Sequence, residues 1–173
     1  MPAQSTYTAI ATTTLTSAGQ IAFGSIPQTY TDLVLVFYSR NATSTGTGTG
    51  IRLNSNSSIT AYWTWLTANG SSATSSRSTN SFGYANLIDG IPSNATANLF
   101  GSGVVHFPNY TNTAVLKTAI GRSANDQNGS GTTKVAVATY PTTAAIVTID
   151  LGADGGTNFA IGTQATLYGI AAA

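Results

Sequence analysis

Charge is what this chain most lacks: of 173 residues, six are Lys or Arg, five are Asp, and none is Glu. A soluble domain carries about a quarter of its residues charged, so solubility must rest on neutral polar groups, and Thr, Ser, Asn and Gly crowd the sequence between its apolar stretches. General acid–base catalysis draws chiefly on imidazoles and carboxylates. With one His and five Asp to supply them, no enzymatic activity is expected. Cysteine is absent, which excludes disulfides and thiolate metal sites. One His without Cys or Glu leaves a transition-metal ion short of ligands, so no cofactor is expected either. Long hydrophobic runs are also missing. No stretch approaches the roughly 20 residues that span a bilayer, and Met1-Pro2-Ala3-Gln4-Ser5 has neither the basic nor the apolar segment of a secretion signal. Synthesis in a cytoplasm with no membrane partner is the expectation. The net charge is +1, and four Arg and two Lys are scattered along the chain, without the basic stripe that neutralises phosphates. No nucleic-acid partner is expected.

What is present points to a folded β protein. A hydrophobic share of 42 % at nearly zero net charge is the opposite of a disordered composition, and 173 residues suit one domain with a substantial core, here taken as residues 1–173. The periodicity is that of strands. Residues 7–15 alternate Thr with apolar side chains, and with 20–23 they read as a hairpin across Ser17-Ala18-Gly19. Residues 32–40 are apolar on both faces, the pattern of a central strand covered on each side. Further strands are expected at 50–54, 60–68, 81–88, 97–107, 114–122, 133–140, 145–151 and 165–170. Turn clusters lie between them at Ser55-Asn56-Ser57-Ser58, Asp89-Gly90-Ile91-Pro92, Asn128-Gly129-Ser130-Gly131 and Asp154-Gly155-Gly156, where Gly and Asn supply positive φ. Residues 41–50 and 68–80 read as protruding loops. No window carries a 3.6-residue apolar face, so very little helix is expected. The fold class is an all-β sandwich, a jelly roll or related Greek key. Sandwich edges are normally blunted by charge; with so little of it, neighbouring subunits are expected to cover them.

The chain offers few constellations that could carry chemistry. His106 sits in Val104-Val105-His106-Phe107 with no G-x-S-x-G elbow anywhere, so a Ser-His-Asp triad has no support and a strand histidine bonded locally is the reading. The five Asp offer no pair that would flank a glycosidic bond. Asp32 at a strand entrance and Asp89 in a turn are structural placements. Asp150, Asp154 and Asn158 could donate oxygens to Ca²⁺, but their order departs from an EF-hand loop and turn chemistry is favoured. Gly46-Thr47-Gly48-Thr49-Gly50 lacks the Gly-Lys-Ser/Thr ending of a phosphate loop and reads as a flexible loop. The six Asn-x-Ser/Thr sequons, at Asn41, Asn56, Asn69, Asn94, Asn109 and Asn128, follow from the composition. The sharpest aromatic cluster is Tyr62-Trp63-Thr64-Trp65. On a strand, Trp63 and Trp65 share one face and Tyr62 takes the other. Core or subunit interface is the favoured role for the two indoles, with a glycan platform as the alternative.

Two segments go beyond composition. Ile26-Pro27-Gln28-Thr29-Tyr30-Thr31-Asp32-Leu33 stands near the start, after Gln20-Ile21-Ala22-Phe23. Phe159-Ala160-Ile161-Gly162 leads into Leu167-Tyr168-Gly169-Ile170 at the end. Together they resemble a group of tailed-bacteriophage virion proteins, frequent in marine and cyanobacterial phages, whose members serve as capsid decoration (cement) proteins or as domains of tail fibres and other appendages. The likeness covers about the first forty residues and the last fifteen, and it implies no catalytic set. It implies a virion location, the major capsid protein or other virion proteins as partners, and a homo-oligomer, expected as a trimer, that stabilises the shell from outside. The alternative is a tail fibre or appendage protein that recognises a host surface glycan. A polysaccharide-degrading enzyme is the least favoured reading.

Overall fold

The computed structural model describes residues 6–44, 46–127, 129–153 and 156–171. Twelve strands and no helix form among them: β1 (Tyr7–Thr14), β2 (Ile21–Phe23), β3 (Asp32–Ser39), β4 (Gly48–Leu53), β5 (Ala61–Ala68), β6 (Ala73–Asn80), β7 (Ala85–Asp89), β8 (Gly101–Phe107), β9 (Lys117–Asp126), β10 (Gly131–Tyr140), β11 (Ile149–Ala153) and β12 (Gln164–Ile170). They build an eight-stranded sheet in the order β1-β12-β3-β8-β9-β10-β5-β6 and a four-stranded sheet in the order β2-β11-β4-β7. Every pairing is antiparallel. β5 pairs with β6, β4 with β7, β3 with β8, β2 with β11 and β1 with β12, each pair enclosing the one before. That nesting is the jelly-roll pattern, into which the β9–β10 hairpin is inserted. The all-β sandwich expected from periodicity is what forms.

One apolar cluster lies between the sheets. Leu33, Leu35 and Phe37 of β3 meet Ile51 and Leu53 of β4, Leu87 of β7 and Ile149 and Leu151 of β11. Each such side chain contributes about 1.5–3 kcal/mol by leaving water. Tyr140 crosses this layer. It is fully buried, and its hydroxyl donates to the Ile51 carbonyl at 2.9 Å, linking the last residue of β10 to the opposite sheet. Burial pushes the Tyr140 phenol far above its ordinary value of 10.0. The unfolded chain therefore ionises this group first, and the stability it contributes is whole below the unfolded pKa and lost as pH rises above it. Urea unfolding between about pH 9 and pH 11 should show that loss, and Tyr140→Phe should make it shallower by up to about 1.4 kcal/mol per pH unit, one proton's worth. At neutral pH the same substitution should cost about 1–3 kcal/mol, because the Ile51 carbonyl loses its donor.

The structure departs from the sequence pattern in four places. Residues 7–23 do not form a hairpin: β1 pairs with β12 and β2 with β11, in different sheets. The connecting turn is drawn to the segment before β12 instead, through Leu15 N–H to Thr163 O and reciprocal bonds between Gly19 and Phe159. β3 is covered on both faces only at its start: on the outer face Val34 is buried, but Val36 and Tyr38 are exposed. Much of the expected 68–80 loop is β6, paired with β5 along its whole length; the smaller sheet does not reach it, and residues 73–77 are exposed whichever way they point. Gly48, Thr49 and Gly50 of the expected glycine loop belong to β4 and are buried. Some strand starts also shift. The expected 97–107 strand begins only at Gly101. The Arg40 guanidinium donates to the carbonyls of Ser93, Ala95, Thr96 and Leu99 at 2.8–2.9 Å and pins the preceding loop. The strand expected from 81 begins at Ala85, since Asn80 Oδ1 accepts the Phe82 and Tyr84 amides in a turn. Asn128 and Asp154, both placed in expected turns, lie outside the described residues.

Candidate functional site on the outer sheet face

On β9 and β10 the usual size order is inverted. Ala119, Gly121 and Ser123 of β9 point into the sandwich, and so do Ala136 and Ala138 of β10, whereas Ile120, Val135 and Val137 point out. The cause is the close approach of β7. A Cβ on Gly121 would lie 2.5 Å from the Leu87 carbonyl oxygen, and one on Gly103 of β8 would lie 3.1 Å from Ile88 Cγ2. Only small side chains fit beneath β7, so the branched residues are turned to the outside.

The register joins these outward residues into one patch. Ile120 stands opposite Val137 and His106, Arg122 opposite Val135 and Val104, Val135 opposite Leu66, and Val104 opposite Val36. Val36, Leu66, Ile120, Val135 and Val137 are each 43–53 % exposed. A contiguous exposed apolar patch is a candidate interaction surface, unlike isolated surface aliphatics, which are ordinary. Arg122 lies within the patch, and its side chain makes no hydrogen bond or ion pair among the described residues.

Most other charges are engaged inside the molecule. Asp32 Oδ2 is 2.9 Å from His106 Nε2, and Asp32 Oδ1 accepts the Asn109 amide at 2.7 Å, which joins the entrance of β3 to the end of β8. Lys134 Nζ meets Asp89 Oδ1 at 2.9 Å between the sheets. Asp150 accepts from Arg52 Nε at 3.1 Å and from Ser55 Oγ at 3.3 Å, and the Arg52 guanidinium lies 4.6 Å from the centre of the Tyr84 ring. Lys117 is buried with its ammonium donating to the carbonyls of Asn112, Val115 and Thr143, and burial lowers its pKa. Among the described residues no three of His, Cys, Asp and Glu gather as metal ligands. Asp154, the second carboxylate of the Ca²⁺ alternative, lies outside those residues.

The aromatic cluster on β5 divides as alternation dictates, with both indoles inward. Trp63 is buried and Trp65 half-buried, their rings 6.3 Å apart and 24° from parallel. Lys134 Nζ lies 5.4 Å from the Trp65 ring centre. The two indoles thus pack in and beside the core, and only Tyr62 of the cluster faces outward. Tyr62 lines an open hollow of about 700 Å³ at one corner of the sheet, together with Thr64, Arg77, Thr79, Val137 and Thr139. Sequence reading reached Tyr62 but not Arg77, which stands in a Ser- and Thr-rich stretch with no apolar pattern to mark it as a strand. The outward Val135 and Val137 were also missed; the one sequence signal for them is Val alternating with Ala, which shows two faces without saying which is inside.

The two terminal segments singled out in the sequence are in contact. β12 pairs with β3 from Gln164↔Tyr38 to Ile170↔Asp32, and the Thr31 amide donates to the Ile170 carbonyl at 2.8 Å. The Tyr30 ring lies flat over Gly169, where a Cβ would come within 2.3 Å of it. The Tyr-Thr-Asp and Leu-Tyr-Gly-Ile sequences therefore form one structural unit. Compared with protein-family models, with curated proteins and with solved structures, the chain matches none.

Proposed function

We propose that this protein is a structural subunit of a tailed-phage virion, a capsid decoration protein that seats the outer face of its eight-stranded sheet on the shell and bridges neighbouring capsid subunits as a homotrimer. The observation that carries the reading is the inverted size order of β9 and β10, which leaves Ile120, Val135 and Val137 half exposed beside Val36 and Leu66. Burying such a patch against a partner contributes about 25 cal/mol per Å² of apolar surface. A partner that binds only the assembled lattice stabilises it by that binding free energy. With a net charge of +1, identical copies repel one another little, which suits a densely occupied surface. The phage assignment itself rests on the two terminal segments.

The test is a count of copies in purified virions by quantitative mass spectrometry, with hundreds expected. A handful, located at the tail, would overturn the decoration reading in favour of an appendage, which the Tyr62 hollow would suit. Ile120→Asp and Val135→Asp should each leave folding stability within about 1 kcal/mol of the parent, because both side chains are at the surface. Each should weaken shell binding by about tenfold or more, as loss of an interface anchor does. Undiminished binding by both variants would place the contact elsewhere.

A further inference from the structure

We infer that the hollow over β5 and β6 binds a carboxylated saccharide, with Tyr62 as the platform for a sugar ring and Arg77 as the partner of its carboxylate. This goes beyond a role in the shell and rests on Tyr62 and Arg77, which are not part of the shell-facing patch. The hollow is built from two rungs of the sheet, Thr139–Tyr62–Thr79 and Val137–Thr64–Arg77. Tyr62 and Arg77 are thus diagonal neighbours, about 7–8 Å apart along the backbone, a span that one sugar residue bridges.

Each part of the hollow has an unused binding capacity. Tyr62 is 50 % exposed, and an exposed aromatic ring offers its face to the C–H side of a pyranose as it does to other apolar surfaces. The Arg77 side chain makes no hydrogen bond or ion pair among the described residues, and the hydroxyls of Thr64, Thr79 and Thr139 make no hydrogen bond there either. Three hydroxyls that both donate and accept suit a polyol. Trp63 and Ser78 also border the hollow, but strand alternation points their side chains to the other face, so the apolar side chains on its open face are Tyr62 and Val137. The guanidinium fork matches a carboxylate in two parallel bonds. No second cation lines the hollow, so the charge to be matched is one, as in a uronic or sialic acid. Arg77 stands on the free edge strand, which leaves the hollow open for a polymer to run past. The aliphatic patch runs from Val36 of β3 to Leu66 of β5 and shares Val137 with the hollow, whereas Tyr62 and Arg77 lie outside it.

The experiment begins with a glycan array containing uronates, sialosides and neutral oligosaccharides, followed by calorimetric titration of the full chain. Titrants are tetragalacturonate or 3′-sialyllactose, whichever class the array selects, and the methyl ester of the same sugar. Binding to the acid is expected, falling about tenfold or more on esterification and weakening as salt is raised. Tyr62→Ala and Arg77→Ala should each reduce affinity about tenfold or more, and Arg77→Lys, which keeps the charge but not the fork, should fall between. All three should unfold at the parent temperature, since both side chains are exposed, and should bind virion shells like the parent, which separates this proposal from the decoration reading. Absence of every carboxylated glycan from the array hits, equal binding of acid and ester, or full affinity in Tyr62→Ala and Arg77→Ala would each overturn it.

Discussion

Asp89→Ala is expected to cost about 3–5 kcal/mol of folding stability, the loss typical of a buried ion pair stripped of one partner. In a chain of this size that lowers the Tm by about 6–20 °C. Asp89 closes β7 of the smaller sheet and Lys134 points inward from β10 of the larger one. Their side chains are 13 % and 7 % exposed, with Nζ and Oδ1 2.9 Å apart. Without the carboxylate, the ammonium is held in a poorly hydrated layer with only the Trp65 ring, 5.4 Å away, to favour its charge. A cation over an indole gains about 0.5–2 kcal/mol, less than the hydration it has given up. The Asp89 amide, which donates to Ser123 Oγ at 2.9 Å, stays in place, so the substitution tests the carboxylate rather than the turn. Asp89→Asn keeps an acceptor at the same position and should lose less. The double variant Asp89→Leu/Lys134→Met, which removes both charges and fills their volume, should recover most of the loss. Urea unfolding of the four proteins reads the coupling directly. A loss below about 1 kcal/mol in Asp89→Ala would put the pair in the range of exposed surface ion pairs and remove its role as a clasp between the sheets.

The sequence was most legible where side chains face the core. β3 announced itself through Leu33, Leu35 and Phe37, and the opposite placement of Tyr62 and the two indoles followed from strand alternation alone. Two kinds of information were hidden. Strand partners are one: Ser17-Ala18-Gly19 looks like a hairpin turn, yet Leu15 and Gly19 bond to residues more than 130 positions away, and turn chemistry says nothing about such distant partners. The inward face is the other. Large residues are normally assigned to the core, but β7 crosses β9 so closely that Gly121 and Ala119 must lie beneath it, and Ile120 is turned out by default. β6 was illegible for a related reason. Strand propensity largely reflects packing against neighbours on a half-buried surface, and Ala73-Thr74-Ser75-Ser76-Arg77 overhangs the smaller sheet with nothing to pack on. Only its hydrogen bonds to β5 make it a strand, so Arg77, the charge in the candidate saccharide site, carried no sequence signal.

The contact that turns Ile120 outward also makes Gly121 intolerant of a side chain. Gly121→Ala is expected to cost about 3 kcal/mol, the upper end of the usual range for overpacking, although it adds a single methyl group. The new Cβ would lie 2.5 Å from the Leu87 carbonyl oxygen and 2.9 Å from Leu87 Cβ, and no rotamer change moves a carbonyl oxygen. Gly121 itself is held between Val105 of β8 and Ala136 of β10, so relief requires β7 to lift away from the larger sheet. Asp89 is two residues beyond Leu87 on the same strand, and lifting β7 draws it from Lys134. The two substitutions therefore share one structural response, and Gly121→Ala/Asp89→Ala should lose less than the sum of the single losses, as coupled neighbours do. Gly103→Ala is the internal control: its nearest atoms are Ile88 Cγ2 at 3.1 Å, Ile88 Cβ at 3.2 Å and the Arg122 carbonyl oxygen at 3.3 Å, tight contacts but none as short as those at Gly121, and the loss should stay near about 1 kcal/mol, the lower end of overpacking. Equal losses at Gly103 and Gly121 in urea unfolding would show that β7 is free to move, and the packing reason for an aliphatic outer face would fail with it.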